Sequence, residues 1–246
     1  MEKNNIKKSG TTILSFFNIH TGTWFLGADS RLTEGYHRIM PDQYKKIFSV
    51  DDLFVTGTGS VSDISNILRK IIRNKKAEKV LGDCPDLKIS FGEFINDLSE
   101  LLFDYRRSQF INEIDCNYLS IGFNDIENKS KCYSISSDGA LIEIQSFYAD
   151  GSGGDFCISQ LSNLWENNKN KKMNDLEIAG VLYKIIQQTS KLDLFTNDKP
   201  DIYFIDRNGI KFINTPPEIV YKDKLIKEIK PKKVINKEYP KPKKKS

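Results

Sequence analysis

The chain has 246 residues, 39% hydrophobic and 28% charged. That is room for one well-buried domain, in the composition range of an ordinary globular protein. No run approaches the roughly 18 apolar residues of a membrane span, and the first ten residues lack the apolar stretch of a secretory leader, so neither membrane nor export is expected. The net charge of +4 divides unevenly: residues 221–246 hold 11 Lys and 3 acidic residues, a net +8, leaving −4 on residues 1–220. A mildly acidic body without an Arg-rich aromatic stripe argues against nucleic-acid binding.

In chain order, Thr12–Asn18 and Thr23–Ala28 read as strands joined by a turn at His20-Thr21-Gly22. Lys46–Val50 and Leu53–Gly57 form a second pair around Asp51-Asp52. A helix begins near Val61, with Ile64, Ile67, Leu68 and Ile71 on one face, and Phe94, Ile95, Leu98, Leu101, Leu102 and Tyr105 mark another. Strands follow at Tyr118–Phe123, Cys132–Ser136 and Leu141–Phe147, the last two turning at Ser137-Asp138-Gly139. Helices are expected at Phe156–Trp165 and Asp175–Ser190, the latter with Leu176, Ala179, Leu182 and Ile186 inward; strands Ile202–Asp206 and Ile210–Ile213 close the domain. Strands, two helices, strands, two helices and strands suggest two antiparallel sheets face to face, with a helix pair on each outer side. The expected class is α+β, a four-layer αββα sandwich. Residues 214–246 are rich in Pro and Lys, a composition that cannot bury enough apolar area to offset ordering entropy. Disorder is expected there, with a short helix possible at Leu225–Ile229.

Cys84, Cys116, Cys132 and Cys157 have no metal-ligand spacing. They read as buried free thiols of a reducing cytoplasm. With only His20 and His37, a His-based triad or zinc site is poorly supplied. Chemistry is better supplied elsewhere. Gly10-Thr11 at the head of a strand is a cleavable junction, and a cut there would leave Thr11 with a hydroxyl nucleophile and a free amine. An α-amine of pKa about 7.7–8.0 can serve as its own general base near neutral pH.

These residues resemble the proteasome β-subunit family, including its HslV-type bacterial relatives, over roughly residues 10–213. The resemblance rests on Gly10-Thr11-Thr12, Gly27-Ala28-Asp29-Ser30-Arg31, Lys45-Lys46-Ile47, Gly57-Thr58-Gly59-Ser60, Gly151-Ser152-Gly153 and Asp193-Leu194-Phe195-Thr196, six short motifs in family order. It implies the αββα sandwich of N-terminal-nucleophile hydrolases, residues 1–10 as a propeptide, residues 11–213 as the peptidase domain, and residues 214–246 as a tail outside it. The implied activity is a threonine endopeptidase, self-processed between Gly10 and Thr11.

By the same resemblance, Thr11 is the nucleophile, and Lys46 is its cationic neighbour, held charged by Asp29. The Gly59 N–H is the oxyanion donor, and Ser152 with Asp193 orients the threonine amine. Arg31 and Thr196 occupy supporting positions, and Leu32, Tyr44, Gly57 and Val61 line the substrate pocket, with Ser65 nearby. Gly57 at the pocket base hints at room for a large side chain. Lys46 fits better than Lys45, because the family's catalytic Lys directly precedes a Val/Ile-led strand. No metal or organic cofactor is implied. Expected partners are a peptide or unfolded protein substrate, further copies in a homo-oligomeric ring, and an α-type ring or ATP-dependent unfoldase. The chain departs from the family in a longer first hairpin, in Ser60 where a second glycine is common, and in the basic tail. Two other readings stay open: an N-terminal-nucleophile amidase on a small amide, and a non-catalytic assembly subunit.

Overall fold

The computed structural model describes residues 11–31, 33–34, 38–39, 44–51, 53–81, 90–108, 116–206 and 209–213. The order is β1 (Thr12–Asn18), β2 (Thr23–Ala28), β3 (Thr33–Glu34), β4 (Arg38–Ile39), β5 (Phe48–Val50), β6 (Leu53–Gly59), α1 (Val61–Leu81) and α2 (Phe91–Ser108). Then come β7 (Cys116–Asn124), β8 (Lys129–Ile135), β9 (Leu141–Ile144), β10 (Phe147–Gly151), α3 (Gly154–Asn170), α4 (Asp175–Thr189), β11 (Asp201–Asp206) and β12 (Gly209–Ile213). One sheet runs β10-β1-β2-β11-β12 and the other β5-β6-β7-β8-β9. Every neighbouring pair in both is antiparallel.

Three apolar clusters mark the three interfaces of four layers. The period-2 alternation of the strands sends Leu14, Phe16 and Phe25 outward onto Cys157 and Leu161 of α3 and Ile178, Leu182 and Ile186 of α4. Their neighbours Ile13, Trp24 and Leu26 point the other way, to Phe54, Leu119 and Ile121 of the second sheet. On the far side, Leu53 and Val55 meet Ile64, Ile67, Leu68 and Ile71 of α1 and Phe94, Ile95, Leu98 and Leu102 of α2. Each large apolar side chain so buried contributes about 1.5–3 kcal/mol relative to exposure. This is the expected αββα sandwich. Cys116, Cys132 and Cys157 are buried free thiols, as the sequence suggested, with burial raising the Cys132 thiol to about 12 and Cys157 to about 11. Among the described residues, no helix is long and apolar enough to cross a membrane.

Several local expectations change. Leu141–Phe147 is not one strand: β9 pairs with β8 in one sheet, and β10 pairs with β1 in the other. The chain crosses the sandwich at Gln145-Ser146, where no Gly or Pro announces a break. The strand expected from Lys46 begins at Phe48. Leu176 is 40% exposed, and Ile178 and Ile185 take the inward face of α4 beside Ala179, Leu182 and Ile186. The small β3–β4 pair carries no sequence signal. Residues 1–10, Leu32, Cys84 and the tail, including the helix expected at Leu225–Ile229, lie outside the described residues.

Candidate active site

Thr11 immediately precedes β1, and β1 lies between β10 and β2. The residue is therefore held on both sides and is only 4% exposed. Asp29 follows the last ladder residue of β2. Its N–H donates to Thr12 O at 3.1 Å, while its Oδ1 accepts from Thr12 N at 2.8 Å. Oδ2 accepts from Arg31 N at 2.9 Å, a side-chain turn that aims the carboxylate back at the head of β1.

Lys46 arrives from the segment before β5, in the opposite sheet. Its Nζ donates to Asp29 Oδ1 at 2.8 Å and to Thr11 Oγ1 at 3.2 Å. The lysine and aspartate side chains are 4% and 0% exposed. Burial lowers the Lys46 pKa, and the Asp29 carboxylate opposes that shift. A buried ammonium sharing its protons between a carboxylate and a hydroxyl favours negative charge on that hydroxyl oxygen. Lys45 points away: it is exposed, with its Nζ 5.8 Å from the centre of the Tyr203 ring.

A second polar chain reaches the same point from α3 and α4. Ser152 N donates to Thr11 O at 3.0 Å, and Ser152 Oγ donates to Asp193 Oδ2 at 2.6 Å. Thr196 Oγ1 also donates to Asp193 Oδ2, at 2.6 Å. Thr196 has one hydroxyl hydrogen, so Thr12 Oγ1, 2.5 Å away, must donate to it. Phe195 N and Asp193 Oδ1 close the loop at 3.1 Å. Gly151 permits this approach. Its φ is +92°, and a Cβ there would stand 1.7 Å from Thr11 O.

The structure thus gathers Thr11, Asp29, Lys46, Ser152, Asp193 and Thr196 into one polar cluster. Gly59 ends β6 with φ +106°, paired with Cys116, and its neighbour Thr58 lies beside Gly151. Arg31 Nη1 donates to Leu194 O at 2.6 Å, tying the Asp29 turn to the Asp193 loop. Tyr44 is half-buried and donates its N–H to Ser30 O at 3.0 Å; Val61 and Ser65 are half-buried on the first turns of α1. Gly57 lies on β6, packed against α1. A Cβ there would stand 2.9 Å from Asn117 O and 3.1 Å from Ile64 Cδ1, so α1 closes over that position.

Sequence reasoning missed three partners. Thr12 links the strand that begins after Thr11 to Thr196. Asn197 joins Ser30 through two bonds, Ser30 N to Asn197 Oδ1 at 3.0 Å and Asn197 Nδ2 to Ser30 Oγ at 2.9 Å. Asp150 reaches Thr58 and Asn117. Thr12 belongs to a motif already noted, and Asn197 and Asp150 each adjoin one.

Residues 7–205 match the family described as Proteasome subunit. This chain belongs to the proteasome subunit family. Over 190 residues it is 24% identical to the proteasome subunit beta of Methanocaldococcus vulcanius, covering 77% of this chain and 79% of that one. Against the proteasome subunit beta of Methanocaldococcus jannaschii, identity is 25% over 221 residues, 86% of this chain and 88% of the relative. The Nanoarchaeum equitans proteasome subunit beta is 25% identical over 168 residues, 68% of this chain and 80% of its own. The membership is on the β side of the family, a group of proteasome-type peptidases with the N-terminal-nucleophile hydrolase fold.

Proposed function

We propose that this chain is a threonine endopeptidase working in a proteasome-like ring in the cytoplasm. The observation that carries the reading is the buried Lys46 ammonium, 3.2 Å from Thr11 Oγ1 and 2.8 Å from Asp29 Oδ1. In the uncut chain the Thr11 nitrogen is an amide, so Thr11 Oγ first attacks the Gly10 carbonyl. The acyl group passes from nitrogen to oxygen, and water hydrolyses the ester, releasing residues 1–10 and freeing the amine.

The same oxygen then attacks a substrate peptide carbonyl. Its proton passes to the Thr11 amine through a water, and from there to the leaving amine. Lys46 stabilises negative charge on Oγ, and the Gly59 N–H donates to the oxyanion. Asp29 holds Lys46 in place. Asp193 accepts from Ser152 and Thr196, fixing the hydroxyls around the amine. Water hydrolyses the Thr11 ester and returns the enzyme. Arg31 braces the loop, and Leu32, Tyr44, Gly57 and Val61 are assigned to the substrate-binding side. Ring neighbours of the same chain, with an α-type ring or an unfoldase, complete the working particle.

The test is self-processing. Thr11→Ala should retain residues 1–10 and show no peptide turnover, because both reactions use one oxygen. Intact mass after expression in a protease-deficient host reads this directly. Trimming at Gly10 in the alanine variant would refute autocatalysis.

A further inference from the structure

At the end of the sandwich nearest Thr11, the contact between the two sheets changes from apolar to polar. Deeper in, Leu26 and Tyr203 of one sheet meet Phe54 and Leu119 of the other. One strand-repeat closer to the site, Thr58 on β6 and Asn117 on β7 stand directly opposite each other in register. Asp150 on β10 faces them from the other sheet, in register with Ile13 of β1. Its Oδ2 accepts from Thr58 Oγ1 at 2.8 Å and from Asn117 Nδ2 at 3.0 Å, while Oδ1 accepts from Gly151 N at 2.7 Å. Asn117 is itself anchored, its Oδ1 accepting from Ser137 N at 3.2 Å.

We propose that Asp150 is a positioning residue that sets the distance between the Gly59 N–H and the Thr11 hydroxyl; the proposal rests on the peptidase reading above. The two groups belong to different sheets. Gly59 directly follows Thr58 on β6, and Ser152, bonded to Thr11 O, lies two residues after Asp150. The carboxylate therefore fastens the strand that supplies the oxyanion donor to the strand that flanks the nucleophile. Apolar contacts between sheets tolerate sliding, whereas two hydrogen bonds from the facing sheet to one carboxylate do not. The tolerance matters because a shift of about 1 Å can cost roughly 100-fold in rate.

The experiment uses the processed full-length protein, a fluorogenic peptide amide and a thermal melt. Thr58→Val keeps the shape of the side chain and removes the hydroxyl. It should lower kcat about tenfold, leave KM within about twofold and barely move the melting temperature. Thr58→Ser keeps the hydroxyl and should restore kcat. Asp150→Ala should lose at least as much as Thr58→Val, and the double variant no more than Asp150→Ala, since both changes break one contact. Unchanged kcat in Thr58→Val, equal losses in the Ser and Val variants, or a loss confined to KM would each overturn the inference. If the parent protein, with Thr11 as its N-terminal residue, hydrolyses no peptide, the peptidase reading itself fails, and this inference with it.

Discussion

Lys45 and Lys46 are adjacent and chemically identical, yet one is solvated and the other buried between a carboxylate and a hydroxyl. Removing a preorganised donor from a transition state typically costs 10²–10³ in rate. Lys46→Ala should therefore lower kcat at least about 100-fold, and Lys45→Ala should keep most activity. Equal effects in steady-state assays would reverse the assignment. Lys46→Ala should also destabilise the fold, because losing one partner of a buried pair typically costs about 3–5 kcal/mol. Thr12 N and Arg31 N still bond Asp29, which places the loss at the lower end of that range. The pH dependence has a definite sign. Burial lowers the Lys46 pKa from its ordinary value of about 10.4. Between the folded-state pKa and that value the unfolded chain binds more protons, so this group's contribution to stability rises with pH. Activity should fall over the same window as the ammonium is lost. An alkaline limb in kcat below about 10.4, while the melting temperature shows no loss from this group, would bear this out; kcat flat through that range would contradict it.

At the scale of elements, α4 shows how a helix positions a site that it does not itself contain. Its start is a capping box: Glu177 N donates to Asn174 Oδ1 at 3.0 Å, and Asn174 N donates to Glu177 Oε2 at 2.9 Å. Its inward face, Ile178, Ala179, Leu182, Ile185 and Ile186, docks it on the first sheet. Its end delivers Thr189, whose carbonyl accepts from Asp193 N at 2.8 Å. Cap and site lie at opposite ends. Asn174→Ala should cost about 1 kcal/mol in urea unfolding, a typical capping loss. Peptide turnover should be unchanged under native conditions, because the docked face still holds the Asp193 loop. A matching loss of kcat would mean that fraying at the N-terminus reaches the site. The helical period was legible in the sequence, since it is written within a few residues. The switch of sheets between β9 and β10 was not, because no Gly or Pro interrupts the run from Leu141 to Phe147.

At the scale of the molecule, a mildly acidic sandwich precedes a tail that carries all the excess positive charge. Among the described residues the polar cluster is complete without residues 214–246. Deleting the chain after Tyr221 should accordingly leave a folded domain with its peptide turnover. Any role of the tail in assembly, or in binding an acidic partner, should weaken as salt rises, with a screening length near 10 Å at 0.1 M. Native mass and turnover of the truncated and full-length proteins test both points. An unfolded truncation, or a full ring without activity, would place the tail inside the working enzyme.

The sequence by itself determined the layer order, the inward faces of most helices and the six short motifs, because periodicity and turn chemistry depend on neighbours along the chain. It also favoured Lys46 over Lys45, through a family resemblance. Only the tertiary structure decided that Thr11, Asp29 and Lys46 meet, that Ser152 and Asp193 share a hydrogen bond across 41 positions, and that Ile64 fills the space beside Gly57. It alone brought Asp150 to Thr58, 92 positions away. These distances arise from how one sheet seats on the other. That seating is set by the summed packing of three apolar layers, which no single segment encodes.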